Sequence, residues 1–123
     1  MSAYQARPAV LVVEDEPLVR MYAVDVLEEA GYEVIEAVNA EQALAQLDAR
    51  PDVSVMFTDI NMPGKMDGFD LAREVNRRRP DIHLILTSGK MRPDQRALPQ
   101  IKAFVAKPYT AERLTNLLST VFS

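Results

Sequence analysis

The feature that most constrains this chain is a regular alternation of short apolar runs with stretches of helical period. Ala9–Val13 (AVLVV) is apolar throughout and rich in β-branched residues, the pattern of a buried strand. Pro17 suits the first turn of a helix, with Asp15 or Glu16 at its N-cap. Leu18, Met21, Tyr22, Val24 and Leu27 follow at helical spacing, and Gly31 is a stop signal. Glu33–Ala37 reads as a second strand. Asn39 then caps a helix carrying Ala43, Leu44 and Leu47, ended near Pro51. Ser54–Thr58 is a third strand. A loop from Asp59 to Asp67 holds Pro63 and Gly64, and leads to a helix over Gly68–Arg78 with Phe69, Leu71, Ala72 and Val75 inward. Ile82–Thr87 is the fourth strand. Pro93 and Pro99 leave room only for a short helix around Asp94–Leu98. Lys102–Ala106 is the fifth strand. Thr110 caps a last helix reaching Phe122, with Leu114, Leu117, Leu118 and Val121 on its inner face.

Five β–α units with nearly all-apolar strands imply an α/β fold whose parallel sheet is covered on both faces. The chain of 123 residues fits one domain. It hides roughly two-thirds of its unfolded surface and needs no disulfide or structural metal to fold. Residues 1–8 read as a flexible tail and 9–123 as the domain.

Composition removes several function classes. The chain has no cysteine, so thiolate catalysis, thiolate metal sites and disulfides are impossible. His83 is the only histidine, which excludes a histidine-rich metal site. With 14 Lys and Arg against 18 Asp and Glu, the net charge of −4 is a poor footing for direct nucleic-acid binding. The apolar run after Pro8 stops at Glu14, too short for a signal peptide, and no run approaches the ~18 apolar residues of a membrane span. A cytoplasmic protein without membrane contact is the expectation.

Open α/β sheets bind ligands beyond the carboxyl ends of their strands. There the sequence places Glu14 and Asp15 after the first strand, Asp59 after the third, Thr87 and Ser88 at the end of the fourth, and Lys107 after the fifth. Singly, each has an ordinary structural reading. Glu14 and Asp15 can serve a helix N-terminus, Asp59 can open a turn, Thr87 can be a satisfied strand hydroxyl, and Lys107 a solvated loop residue. Together they are informative. Three gathered carboxylates repel unless a cation sits among them or one is protonated. Hard oxygen donors without sulfur or imidazole suit Mg²⁺, and a lysine opposite supplies a point charge for phosphate.

Five segments then carry a resemblance: Val12-Val13-Glu14-Asp15-Glu16, Thr58-Asp59-Ile60-Asn61-Met62-Pro63, Met66-Asp67-Gly68, Leu86-Thr87-Ser88-Gly89 and Lys107-Pro108. In this order and spacing, from about Pro8 to Phe122, the chain resembles the receiver domains of bacterial two-component response regulators. The resemblance implies a flavodoxin-like (βα)5 three-layer sandwich with strand order 2-1-3-4-5. It implies Asp59 as the phospho-acceptor, with Mg²⁺ held by Glu14, Asp15, Asp59 and the backbone carbonyl of Asn61. Lys107 and Thr87 would contact the phosphoryl oxygens, and small Ser88 would leave the phosphorus accessible. Phosphorylation would draw in Thr87, with Phe104 turning inward behind it, as a two-state shift. Lys107-Pro108 would be cis. The implied partners are a sensor histidine kinase or histidine phosphotransfer protein and a downstream protein. The chain would be a monomer, or a weak dimer through the face of fourth helix, fifth strand and fifth helix. It would be a signalling switch, catalysing only its own phosphorylation and dephosphorylation.

The chain departs from the family pattern in places. Glu14 stands where Asp is commoner, the Pro63–Asp67 loop is one residue longer, and the fourth helix is shortened and irregular. Phe104 lacks a phenolic hydroxyl, so its switch would act by packing alone. Arg77-Arg78-Arg79 reads as a solvated helix end suited to the dipole, His83 as a strand-edge residue, and Asp67 and Gly68 as residues that shape the loop and start a helix. Two other classes fit the sequence less well. A dehalogenase-type phosphatase wants a second Asp two residues after the first, as general acid, and this chain has Asn61 there. A pseudo-receiver binding module typically lacks the acceptor or the lysine. A receiver excised from a hybrid kinase is a further alternative, and Met1 favours a stand-alone protein.

Overall fold

The computed structural model describes residues 8–89 and 101–122. Five strands, β1 (Ala9–Val13), β2 (Glu33–Ala37), β3 (Val53–Asp59), β4 (His83–Ser88) and β5 (Ile101–Ala106), form one parallel sheet of order β2-β1-β3-β4-β5. The helices are α1 (Pro17–Glu29), α2 (Ala40–Ala49), α3 (Gly68–Arg78) and α4 (Ala111–Phe122). The expected flavodoxin-like order is therefore the one observed. The short helix predicted around Asp94–Leu98 lies outside the described residues, as does most of the predicted tail. Pro8 is described, and its carbonyl accepts the Glu33 N–H at 2.9 Å.

The period-2 alternation of the strands sorts the core into two layers. Ala9, Leu11 and Val13 of β1, Met56 of β3 and Leu84 and Leu86 of β4 face α2 and α3, where Ala43, Leu47, Leu71, Ala72 and Val75 cover them. Val10, Val12, Val55, Phe57 and Ile85 face α1 and α4, meeting Ala23, Val24, Leu27, Leu114 and Leu118. Each fully buried leucine or isoleucine contributes about 1.5–3 kcal/mol relative to exposure.

Helix ends follow local chemistry. Asn39 accepts the Gln42 N–H at 2.8 Å as the N-cap of α2. The Thr110 hydroxyl accepts the Arg113 N–H at 3.1 Å before α4. Asp67 and Asp70 form a reciprocal capping box at the start of α3. Gly31, at φ 104°, turns the chain out of α1.

Two expectations need correction. Leu18, Met21 and Tyr22 belong to the apolar spacing of α1, yet they are 78%, 56% and 44% exposed, and the buried stripe is Ala23, Val24 and Leu27. The first turns of α1 follow closely on the carboxyl end of β1, and their apolar side chains stay at the surface. Arg79 is also no solvated helix end. Its guanidinium donates to the carbonyls of Leu47, Pro51 and Val53 at 3.3, 3.1 and 3.0 Å. Arg77 and Arg78 do pair at the surface, both with Glu74.

Candidate phosphoacceptor site

The sheet order sets the site. β1 and β3 are neighbours, and so are β3 and β4, so the residues that end these strands meet at one rim. Asp59 stands in register with Thr87 across the β3–β4 ladder, and Val13 with Thr58 across β1–β3. Glu14 and Asp15 follow Val13 directly, and Lys107 follows the end of β5. One carboxylate oxygen each from Glu14, Asp15 and Asp59 lie within 4.8 Å of one another. Glu14 and Asp59 are buried, at 3% and 4% exposure. Asp15, Asp59, Asn61, Gly89 and Lys107 line an open cleft of about 400 Å³.

Lys107 holds the cluster together. Its Nζ lies 2.8 Å from Glu14 Oε1 and 3.0 Å from Asp59 Oδ2. The Asn61 N–H donates to Asp59 Oδ1 at 3.1 Å, and the Asn61 side-chain amide donates to Ser88 Oγ at 2.8 Å. The Glu16 N–H donates to Glu14 Oε2 at 3.2 Å. Burial raises the pKa of Glu14 above the ordinary 4.5. The hydrogen bond from Lys107 works against this shift, and the charge of Asp59 adds to it. Burial alone would lower the pKa of Lys107, but its bonds to Glu14 and Asp59 outweigh that and raise it.

Thr87 Oγ1 is buried beside this cluster and has no hydrogen-bond partner among the described residues. A buried hydroxyl without a partner is costly, and this one belongs to the residue paired in register with Asp59. Phe104, in register with Leu86, packs half-buried against the α2–α3 layer. The Lys107–Pro108 peptide is cis. All the predicted side chains of the rim thus come together; Phe104 lies on the sheet face rather than in the cleft.

Three contributors were not foreseen as parts of the site. Gly68 donates its N–H to the Ile60 carbonyl at 2.7 Å, and a Cβ there would lie 2.2 Å from the Asp59 carbonyl oxygen. Its lack of a side chain lets α3 start against the backbone of Asp59. Arg20 donates to the Glu14 carbonyl at 3.0 Å and to Glu36 at 3.1 Å, fixing the loop after β1. Tyr109 lies buried under the rim, its ring 5.6 Å from Phe57 and 6.0 Å from Tyr22. Burial pushes its phenol pKa up, and the charge of Glu14 reinforces that. The spacing of Gly68 after Asp67 marks a helix start, but the close approach appears only in three dimensions.

Hard oxygen donors with an opposed ammonium fit a divalent cation such as Mg²⁺ beside a phosphoryl group. Among the described residues no helix is long and apolar enough to cross a membrane.

Comparison with known proteins agrees. The family model described as "Response regulator receiver domain" matches residues 10–119. The chain is 34% identical over 111 residues to the response regulator receiver protein CpdR of Brucella abortus, covering 87% of this chain and 90% of that one. It is 34% identical over 118 residues to the chemotaxis protein CheY of Thermotoga maritima, covering 91% and 95%. Among solved structures, the response regulator protein TrrA from Thermotoga maritima, in complex with Mg(2+)-BeF, superposes with a TM-score of 0.83 at 27% identity, covering 93% and 98%. With a family model spanning most of its length and relatives matched over nearly their whole lengths, the chain belongs to the response regulator receiver domain family.

Proposed function

We propose that this protein is a phosphorylation-dependent switch or relay of a bacterial two-component system, acting in the cytoplasm, which accepts a phosphoryl group on Asp59. The observation that carries the reading is the Lys107 ammonium bridging Asp59 and Glu14, beside a buried Thr87 hydroxyl without a partner. Glu14, Asp15 and Asp59, with the carbonyl of Asn61, are the residues that would hold Mg²⁺. When bound, the ion neutralises charge on the entering phosphoryl group.

In the transfer, a carboxylate oxygen of Asp59 attacks the phosphorus of a phosphohistidine on a sensor kinase or phosphotransfer protein. The P–N bond breaks and its electron pair stays on the imidazole nitrogen. The protein positions and neutralises and does little covalent work. Lys107 moves from the carboxylate to a phosphoryl oxygen, and the Thr87 hydroxyl gains the partner it lacks. Phe104 then follows by packing, and the downstream protein reads the altered face. An apolar patch of Leu18, Val19, Tyr22 and Pro108, with the buried Tyr109 ring beneath it, borders the acidic cleft.

The protein turns over no external substrate. Asn61 donates its amide to Ser88 and carries no acidic proton, so a phosphatase cycle with a general acid at that position has no support. Intact mass after incubation with acetyl phosphate and Mg²⁺ tests the reading. Wild type should gain one phosphoryl group and Asp59→Asn none. A normal gain in Asp59→Asn would sink the assignment.

A further inference from the structure

Both carboxylate oxygens of Glu14 already have donors. Oε1 takes the Lys107 ammonium at 2.8 Å and Oε2 takes the Glu16 N–H at 3.2 Å. Its own carbonyl is held by Arg20 at 3.0 Å. The residue is therefore clamped from three directions, in a spot where it is almost fully buried. A divalent cation entering among Glu14, Asp15 and Asp59 meets an ammonium already seated on two of the three carboxylates. The two cations are of like charge and want the same oxygens, and in a buried site that competition is only weakly screened.

We infer that Glu14 is the standing partner of Lys107, and that this ion pair competes with Mg²⁺ and sets the affinity of the site for it. The inference rests on the metal site of the proposed function and adds a second role for a residue expected only to hold metal. The length of the side chain is what matters. Aspartate at this position keeps the charge and the oxygen donors but draws the carboxylate back by one methylene from Lys107. It gives up the lysine contact sooner than it gives up metal coordination. Glu14 is in this sense a positioning residue for Lys107, holding the ammonium at the rim until the cation and phosphoryl group displace it.

Four proteins decide the matter: wild type, Glu14→Asp, Lys107→Met and the double variant. Each is titrated with Mg²⁺ alone by calorimetry at fixed ionic strength, without phosphodonor. Breaking one buried charge-assisted contact should tighten Mg²⁺ binding by about tenfold in Glu14→Asp, and Lys107→Met, which loses its contacts to both Glu14 and Asp59, should tighten it at least as much. The double variant should bind no more tightly than Lys107→Met, because the lysine through which Glu14 acts is already gone. Equal or weaker binding in Glu14→Asp overturns the inference, and so does a gain in the double variant that is the full product of the two singles. Absence of Mg²⁺ binding in all four proteins overturns the metal reading itself, and is distinguishable from either of those results.

Discussion

At the amino ends of the strands, the charged side chains have partners close by. Arg50 lies 2.7 Å from Glu33 and 2.8 Å from Asp52, Glu74 sits between Arg77 and Arg78, and Arg79 reaches three backbone carbonyls. At the carboxyl ends, among the described residues, a single ammonium faces three carboxylates and a buried hydroxyl has no partner. The two rims belong to one sheet and one core. The charges of the first are paired, although Asn76 Oδ1 in the last turn of α3 is also buried without a partner among the described residues, whereas the second is short of positive charge and of one acceptor. On the proposed function, the second rim is built from what it lacks before the cation and phosphoryl group arrive, and its cost is met by the apolar layers beneath it.

Four measurements break or sharpen this contrast. The largest effect is expected from Gly68→Ala. The new methyl would meet the Asp59 carbonyl oxygen at 2.2 Å and the Ile60 Cα at 2.6 Å, both backbone atoms that cannot rotate away. Destabilisation of about 3 kcal/mol in urea unfolding should follow, with reduced phosphoryl gain. A neutral result would mean that close packing does not hold the acceptor end.

Arg79→Met should come next, at about 2 kcal/mol, since it leaves three carbonyls without their charged donor. Equal stability of variant and wild type would remove the claim that the amino rim is tied by this residue.

The acid titration separates the two rims by sign. Glu14 has a folded pKa above the ordinary 4.5, so the folded protein holds that proton more tightly than the unfolded chain. Its contribution to stability therefore falls as pH rises from 4.5 through the raised value. Glu74, between Arg77 and Arg78, has its pKa lowered to about 2. Its contribution is present above the ordinary value and is lost as pH falls toward about 2. Carboxyl-carbon NMR titration of the metal-free protein should place the two midpoints on opposite sides of 4.5. Midpoints on the same side would erase the contrast.

The smallest effect is the most diagnostic. Thr87→Val removes a buried hydroxyl that has no partner among the described residues, so the protein without phosphodonor should gain about 1 kcal/mol of stability. The same variant should bind beryllofluoride with Mg²⁺ more weakly than wild type. A large loss of stability in the unmodified protein would show that the hydroxyl is already bonded.

The strands and the rim were legible in the sequence because both depend on short-range signals. Ala9–Val13 can be little else than a buried strand, and the residue after a strand end needs no tertiary knowledge to be placed. The segments Ala9–Val13, Glu33–Ala37 and Gly68–Arg78 appear with the bounds their patterns predict, β5 begins one residue earlier, and β3 and β4 differ by one residue at each end. What could not be read depends on what lies opposite. The spacing of Leu18, Met21 and Tyr22 is that of a buried face, but nothing in α1 reveals that these side chains stay at the surface. Arg79 belongs to a run of three arginines, and only the approach of Leu47, Pro51 and Val53 separates it from the two beside it. Gly68 looked like a helix start, and its closeness to Asp59 follows from the loop's return path. The segment around Asp94–Leu98 lies outside the described residues.

The edge position of β5 has a mechanical consequence. β3, which carries Asp59, is laced to neighbours on both sides, whereas β5 is laced only to β4. Lys107 hangs just past the end of that outer strand, its N–H donating to the Ser88 carbonyl at 2.9 Å. On the proposed function Asp59 would be a fixed post and the lysine a pivoting arm, so displacement of the ammonium would be absorbed where the sheet has least to tear. Any travel of the arm would pass into β5 and the half-buried Phe104 before it reached the strand that carries Asp59.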